Sequence, residues 1–215
     1  DAIMEANQMK IVHYAFVPNT KVQEAAIRVS QAAGEEIPTD FTLTLRLPGI
    51  TPRLPHISIL AVLVSNEAAE DQIRLRFHEA VRTEKLDSHW LNEVAIEMNR
   101  ARYVEDNGFL QIITEDAHFL RLHRIAVAVA KSVQQEFDGV TIVSQHDSAY
   151  RPHLTLSHSS DVPGIRRLAA MYTEQQPWGD EALRIRSVEV TGYEPHRSPY
   201  GTFPGGRAIL SNPYP

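Results

Sequence analysis

Residues 54–64 read Leu-Pro-His-Ile-Ser-Ile-Leu-Ala-Val-Leu-Val, and residues 151–158 read Arg-Pro-His-Leu-Thr-Leu-Ser-His. Both carry proline, histidine, aliphatic, hydroxyl, aliphatic in that order. Side chains two apart on a strand share a face. His56 and Ser58 therefore project together while Ile57 and Ile59 enter the opposite layer, and His153 and Thr155 do the same against Leu154 and Leu156. Histidine followed two positions later by Ser or Thr is weak evidence here, because His56, His146, His153, His158 and His196 all show it. Requiring aliphatic residues at the second and fourth positions leaves only 56–59 and 153–156.

Working outward, the element order repeats. Residues 11–18 form an apolar strand stopped at Pro18 and Asn19. Val22, Ala25, Ala26, Val29 and Ala33 then mark one face of a helix ended by Gly34 and Pro38. Strict alternation over 41–47 predicts a half-buried strand before the turn at Pro48 and Gly49. After the first motif strand come a helix through Ile73, Phe77, Ala80 and Val81 and a strand through Val94, Ile96 and Met98. The second half opens with a strand over 109–114. A helical stripe of Phe119, Leu122, Ala126, Val129, Val133 and Phe137 follows, and its place is the core. A short strand at 140–144 precedes the second motif. Asp161 caps a last helix with Pro163 in its first turn, and a strand at 183–190 closes the half. Ile11 stands 45 positions before His56, and Phe109 stands 44 before His153. This register predicts a duplication within one domain spanning 1–215, with lobe one near 9–103 and lobe two near 104–194. Residues 195–215 hold five of the 13 prolines and are expected as loop or edge flanking a site.

Composition removes several classes. A length of 215 residues with 43% hydrophobic and 22% charged residues suits a packed soluble domain rather than a disordered chain or a fibre. No apolar run approaches a membrane span, and no basic-then-apolar leader opens the sequence, so a cytoplasmic location without membrane contact is expected. The first residue is Asp1, and Met4, Met9 or a point upstream would serve as the native start. A net charge of −6 opposes binding to long duplex nucleic acid but permits a small anion held by local groups. With no cysteine, disulfides, thiolate nucleophiles and thiolate-bound metals are excluded. His118 and His123 are five apart and do not stack on a helix face, and no P-loop, nucleophile elbow or dinucleotide fingerprint is present. Neither a metal nor another cofactor is called for.

Two imidazoles and two hydroxyls meeting in one cleft suit metal-free phosphodiester hydrolysis. One neutral imidazole takes a proton from water, and a protonated one gives a proton to the leaving oxygen. Ser58 and Thr155 donate hydrogen bonds to the non-bridging oxygens. These motifs and the strand-helix order around them resemble the two-histidine phosphoesterase superfamily, which includes the RNA 2′,3′-cyclic phosphodiesterases once called 2′-5′ RNA ligases. The resemblance implies an α+β protein: a bilobal, duplicated α/β fold with two antiparallel sheets lining a central groove and helices outside. It implies catalytic roles for His56 and His153 and phosphate binding by Ser58 and Thr155. The implied substrate is a nucleotide or RNA end bearing a 2′,3′-cyclic phosphate, with a 2′-5′ oligonucleotide or cyclic-nucleotide signal as the alternative. A non-catalytic nucleotide or RNA-end binding module is the reading from another class. A monomer suffices, since both lobes complete one site.

Four further residues are candidates for substrate contact. Tyr150 and Arg151 stand just before the second motif, either to stack on a base and touch phosphate or as an ordinary surface turn. His13 either lines the groove floor or is a satisfied core residue. His158 occupies a position where many bacterial members of the superfamily carry Arg and others Tyr. Simple alternation points it away from His153 unless the strand bulges. Trp90 and Trp178 are expected to pack rather than stack on bases.

Overall fold

The first strand, β1 (Lys10–Pro18), sorts its side chains between two environments. Val12, Tyr14 and Phe16 enter the main core, while Ala15 and Val17 join a small separate cluster with Phe203. The computed structural model describes residues 9–44, 52–180, 182–195 and 203–212. Helix α1 (Thr20–Glu36) buries the expected stripe of Val22, Ala25, Ala26, Val29 and Ala33. Strand β2 (Phe41–Thr42) is short, with a single further bridge between Thr44 and Arg53. The rest of the strand expected over 41–47 and the turn at Pro48 and Gly49 lie outside the described residues.

Next come β3 (Ile57–Val64), α2 (Glu67–Thr83), α3 (Ser88–Asn92) and β4 (Ala95–Glu97). The strand expected through Val94, Ile96 and Met98 is cut short, because the chain enters a 3-10 turn at Met98–Arg100. Residues 103–108, the expected boundary between halves, contribute to a hairpin of β5 (Arg102–Asp106) and β6 (Phe109–Ile113). Its turn places Asn107 at φ 51° and Gly108 at φ 81°, the left-handed pair that tight hairpins require. A Cβ on Gly108 would stand 2.6 Å from the Ser159 carbonyl, so only glycine fits.

The chain continues through α4 (Ala117–Gln134), β7 (Val140–Ile142), β8 (His153–His158), α5 (Val162–Gln175), β9 (Ala182–Tyr193) and β10 (Arg207–Ser211). Asp116 caps α4 and Asp161 caps α5, each side chain accepting from a first-turn N–H. The C-terminal segment expected as loop or edge supplies β10, an edge strand beside β9.

Where two sheets were expected, ten strands among the described residues join in one, and every pairing is antiparallel. The main order is β10-β9-β1-β3-β8-β6-β5. The reason is a pairing of Ile57 with Leu154, which joins the two motif strands at the middle. Residues 183–190 form the expected strand within β9, which pairs with β1. Short strands also cross over, since β2 pairs with β8 and β7 with β3. The fold is α+β, a large sheet with surrounding helices.

Each motif strand carries one bulge. Tyr14 pairs with Leu60 but Ala15 with Ser58, so Ile59 has no partner in β1. Leu110 pairs with Ser157 but Gln111 with Thr155, so Leu156 has none in β6. An unpaired residue in a bulge turns its backbone out of the ladder, and its buried carbonyl needs another donor. His123 of α4 supplies Nδ1 to the Ile59 carbonyl at 2.6 Å, and Ser30 of α1 donates to the Leu156 carbonyl at 2.5 Å. Ser30 also accepts from the Leu43 N–H at 2.8 Å, so this buried hydroxyl serves two otherwise stranded backbone groups.

Ser30→Ala should therefore cost about 1–3 kcal/mol in denaturant unfolding, the penalty for leaving buried polar groups unpaired. An unchanged midpoint would show that the bulge carbonyl has another adequate donor.

Candidate active site

The Ile57–Leu154 pair sets the geometry of everything around it. Extending that antiparallel register by one residue in each direction brings His56 opposite Thr155 and Ser58 opposite His153. All four face away from the core layer that holds Ile57 and Leu154. By strand alternation the two histidines flank the single registered pair on the face opposite Ile57 and Leu154.

Both histidines are oriented by the same backbone device. His56 Nδ1 donates to the Leu54 carbonyl at 2.9 Å, and His153 Nδ1 donates to the Arg151 carbonyl at 2.7 Å. A carbonyl only accepts, so Nδ1 carries the proton in each neutral ring and Nε2 is the atom that takes or gives one. Pro55 and Pro152 explain why the motif begins with proline. A residue before proline is held extended, which fixes Leu54 and Arg151 and with them the acceptor carbonyls.

The surroundings differ. His56 is buried at 7% exposure, its ring 5.2 Å from that of Phe203 and 5.4 Å from that of His13. His153 is half-buried and stands at the edge of a cavity of about 1330 Å³, lined also by Arg102, Gln111, Ile113, Tyr150 and Arg151. That volume exceeds what a mononucleotide needs.

Of the four further candidates, His13 is fully enclosed. Its Nε2 lies 2.9 Å from Ser58 Oγ, and Tyr193 Oη lies 3.2 Å from its Nδ1. Burial pushes its pKa well below the ordinary imidazole value, and the neighbouring His56 adds to the fall. Tyr150 is buried too. Its ring stacks on His123 at 3.5 Å between centroids, and its hydroxyl donates to the Ser58 carbonyl at 2.8 Å. The face that would meet a base is therefore taken by an imidazole on one side. Arg151 is exposed at the cavity and offers its carbonyl to His153.

His158 corrects the simple alternation. The bulge at Leu156 reverses the parity of β8, so His158 pairs with Phe109 while Thr155 pairs with Gln111 and His153 with Ile113. Leu110 and Ile112 belong to the core, which puts Phe109, Gln111, Ile113 and His158 on the face of the motif residues. His158 Nδ1 bonds Asp40 Oδ1 at 2.6 Å, and its ring lies 4.4 Å from that of Phe109.

Three contributors escaped the sequence reading. Phe203 seals the His56 end, with its own carbonyl accepting from the Leu54 N–H at 3.0 Å. Its only sequence signal was an aromatic residue within a Pro/Gly-rich stretch. Gln111 is the single polar residue in β6, is 8% exposed and stands opposite Thr155. His123 was read only as a poor metal ligand. The expected packing of Trp90 and Trp178 holds, both being buried. Among the described residues no group of three or more His, Asp or Glu side chains gathers to hold a metal ion, and no helix is long and apolar enough to cross a membrane.

No protein-family model and no curated protein matches this chain. Solved structures do. One of Kluyveromyces marxianus Usb1 with uridine monophosphate matches at a TM-score of 0.51 and 11% identity, covering 86% of this chain and 94% of that one. A second Usb1 structure from the same yeast matches at 0.48 and 9% identity over the same shares. The likeness is one of fold. With the sheet described above, it makes this an α+β fold with a large sheet and surrounding helices.

His13 and His123 are both held neutral, chiefly by burial. Unfolding frees them to titrate near pH 6.5, so the unfolded chain takes up protons that the folded chain refuses. Their contribution to stability is complete above about pH 6.5 and is lost as pH falls toward their depressed values, by up to about 1.4 kcal/mol per pH unit for each. Denaturant midpoints measured from pH 7.5 to 5.5 should fall less steeply in His123→Leu than in the parent. Parallel slopes would contradict a neutral, buried His123.

Proposed function

We propose that the protein is a metal-independent phosphodiesterase that hydrolyses the 2′,3′-cyclic phosphate of a nucleotide or RNA end. The observation that carries this reading is the matched pair of histidines on one face of the β3–β8 junction, each with Nδ1 tied to the carbonyl two residues back. On this reading the two imidazoles work as an acid-base pair, each through its Nε2.

The reaction balances with these groups alone. One neutral imidazole takes a proton from water as the water oxygen bonds to phosphorus. The opposite imidazolium gives its Nε2 proton to the ribose oxygen as the P–O bond to that oxygen breaks. Ser58 and Thr155, each two residues after a motif histidine, donate to the non-bridging oxygens where charge accumulates. The cavity beside His153, lined also by Gln111, Arg102 and Arg151, takes the nucleoside on this reading. The uridine monophosphate in the matched Usb1 structure fits the same class of ligand. The acidic net charge of −6 favours a compact substrate over a long duplex.

The test is product analysis on a panel of 2′,3′-cyclic nucleotides and 2′-5′ dinucleotides in the presence of EDTA. Cleavage of the cyclic phosphates should persist in EDTA, and His56→Ala and His153→Ala should each lower it by about 100- to 10,000-fold. Loss of activity in EDTA, or retention of activity in either variant, would overturn the mechanism. Binding of these nucleotides without turnover would identify a binding module instead.

A further inference from the structure

Ser58 can bind phosphate only if its hydroxyl proton points into the groove. A serine hydroxyl rotates freely and serves as donor or acceptor according to its neighbours. Its neighbour here is His13, with Nε2 2.9 Å from Oγ, on the strand beside it. An unprotonated Nε2 would draw the serine proton toward itself and away from the substrate. A protonated Nε2 would occupy a serine lone pair and leave the proton to turn outward.

The other side of the ring decides between these. Tyr193, on β9, places its hydroxyl 3.2 Å from His13 Nδ1. A phenol is a far stronger donor than a neutral imidazole N–H, so the preferred arrangement has Tyr193 donating to Nδ1. The proton of the neutral ring then resides on Nε2. His13 is 1% exposed, and the rings of His56 and Phe203 stand edge-on to it at 5.4 Å and 5.3 Å, which prevents it from turning over. Burial also keeps the ring from gaining a second proton.

We propose that His13 is a positioning residue: Tyr193 Oη–H donates to His13 Nδ1, His13 Nε2–H donates to Ser58 Oγ, and Ser58 is thereby set to donate its proton to a non-bridging phosphate oxygen. This rests on the reading above, in which Ser58 binds the phosphate. The three residues come from β9, β1 and β3, so the device reaches across three neighbouring strands of the sheet.

A double-mutant cycle tests it, with kcat/KM for cyclic-phosphate hydrolysis as the readout and thermal unfolding as the check on folding. Ser58→Ala should lower kcat/KM by about 100-fold, the cost of one lost donor to a developing charge. His13→Leu should lower it by at least 10-fold alone and not at all in the Ser58→Ala background, because the two act through one hydrogen bond. His13→Gln, whose amide can still donate to Ser58, should recover most of the loss. Tyr193→Phe keeps the bulk and removes only the relay's first donor, so it should give a smaller loss that also vanishes without Ser58. It serves as the deciding variant should His13→Leu fail to fold. Losses that multiply, or a His13→Leu or Tyr193→Phe variant as active as the parent, would overturn the role of His13 while leaving Ser58 on the phosphate. An unchanged rate in Ser58→Ala would overturn the phosphate role and the inference together.

Discussion

The single antiparallel pairing of Ile57 with Leu154 is the contact on which the rest of this protein depends. It joins strands from the two halves of the chain into one sheet. It also sets which residues face each other across the seam. Because strand side chains alternate with a period of two, a slip of one residue would exchange His56, Ser58, His153 and Thr155 for the isoleucines and leucines between them. The apolar residues oppose such a slip, since Ile57, Ile59, Leu154 and Leu156 would lose their buried layer.

The two bulges extend that constraint into chemistry. Each comes three residues after a motif histidine, and each hands a backbone carbonyl to a helix carried by the opposite half of the chain. Helix α4 thereby steadies β3, and α1 steadies β8. The bulge in β3 keeps Leu60, Val62 and Val64 in the core after Ser58 has faced the groove. The bulge in β8 brings His158 back to the groove side. The candidate site is thus held by hydrogen bonds from behind the sheet as well as by packing, a requirement for keeping two imidazoles in a fixed relation.

Much of this was legible in sequence. The Pro-His motifs, the alternation around them and the capped, striped helices announced the elements because local spacing determines which face each side chain takes. What failed was what spacing does not encode. The bulge at Leu156 has no local mark, so alternation alone left the face of His158 to depend on whether the strand bulges. The partner of β9 depends on which strand edges remain open after β1 and β3 have paired, so its place beside β1 could not be read from residues 183–190 themselves. Asn107-Gly108 is a hairpin signal of the local kind, and the turn between β5 and β6 sits on it. Tyr150 shows the limit for function. An aromatic beside a motif suits base stacking, yet here its ring is held by His123 and its hydroxyl by a backbone carbonyl.

The two halves supply near-equivalent histidines in unequal surroundings, one sealed under Phe203 and the other open to a cavity. The central claim is that these histidines work together, one as base and one as acid. It is tested most directly by the pH dependence of kcat/KM for a 2′,3′-cyclic nucleotide measured in EDTA. A bell-shaped profile, with one limb for each imidazole in its required protonation state, is the predicted result. A profile that is flat, or that rises or falls along a single limb across the range where imidazoles titrate, would contradict the claim.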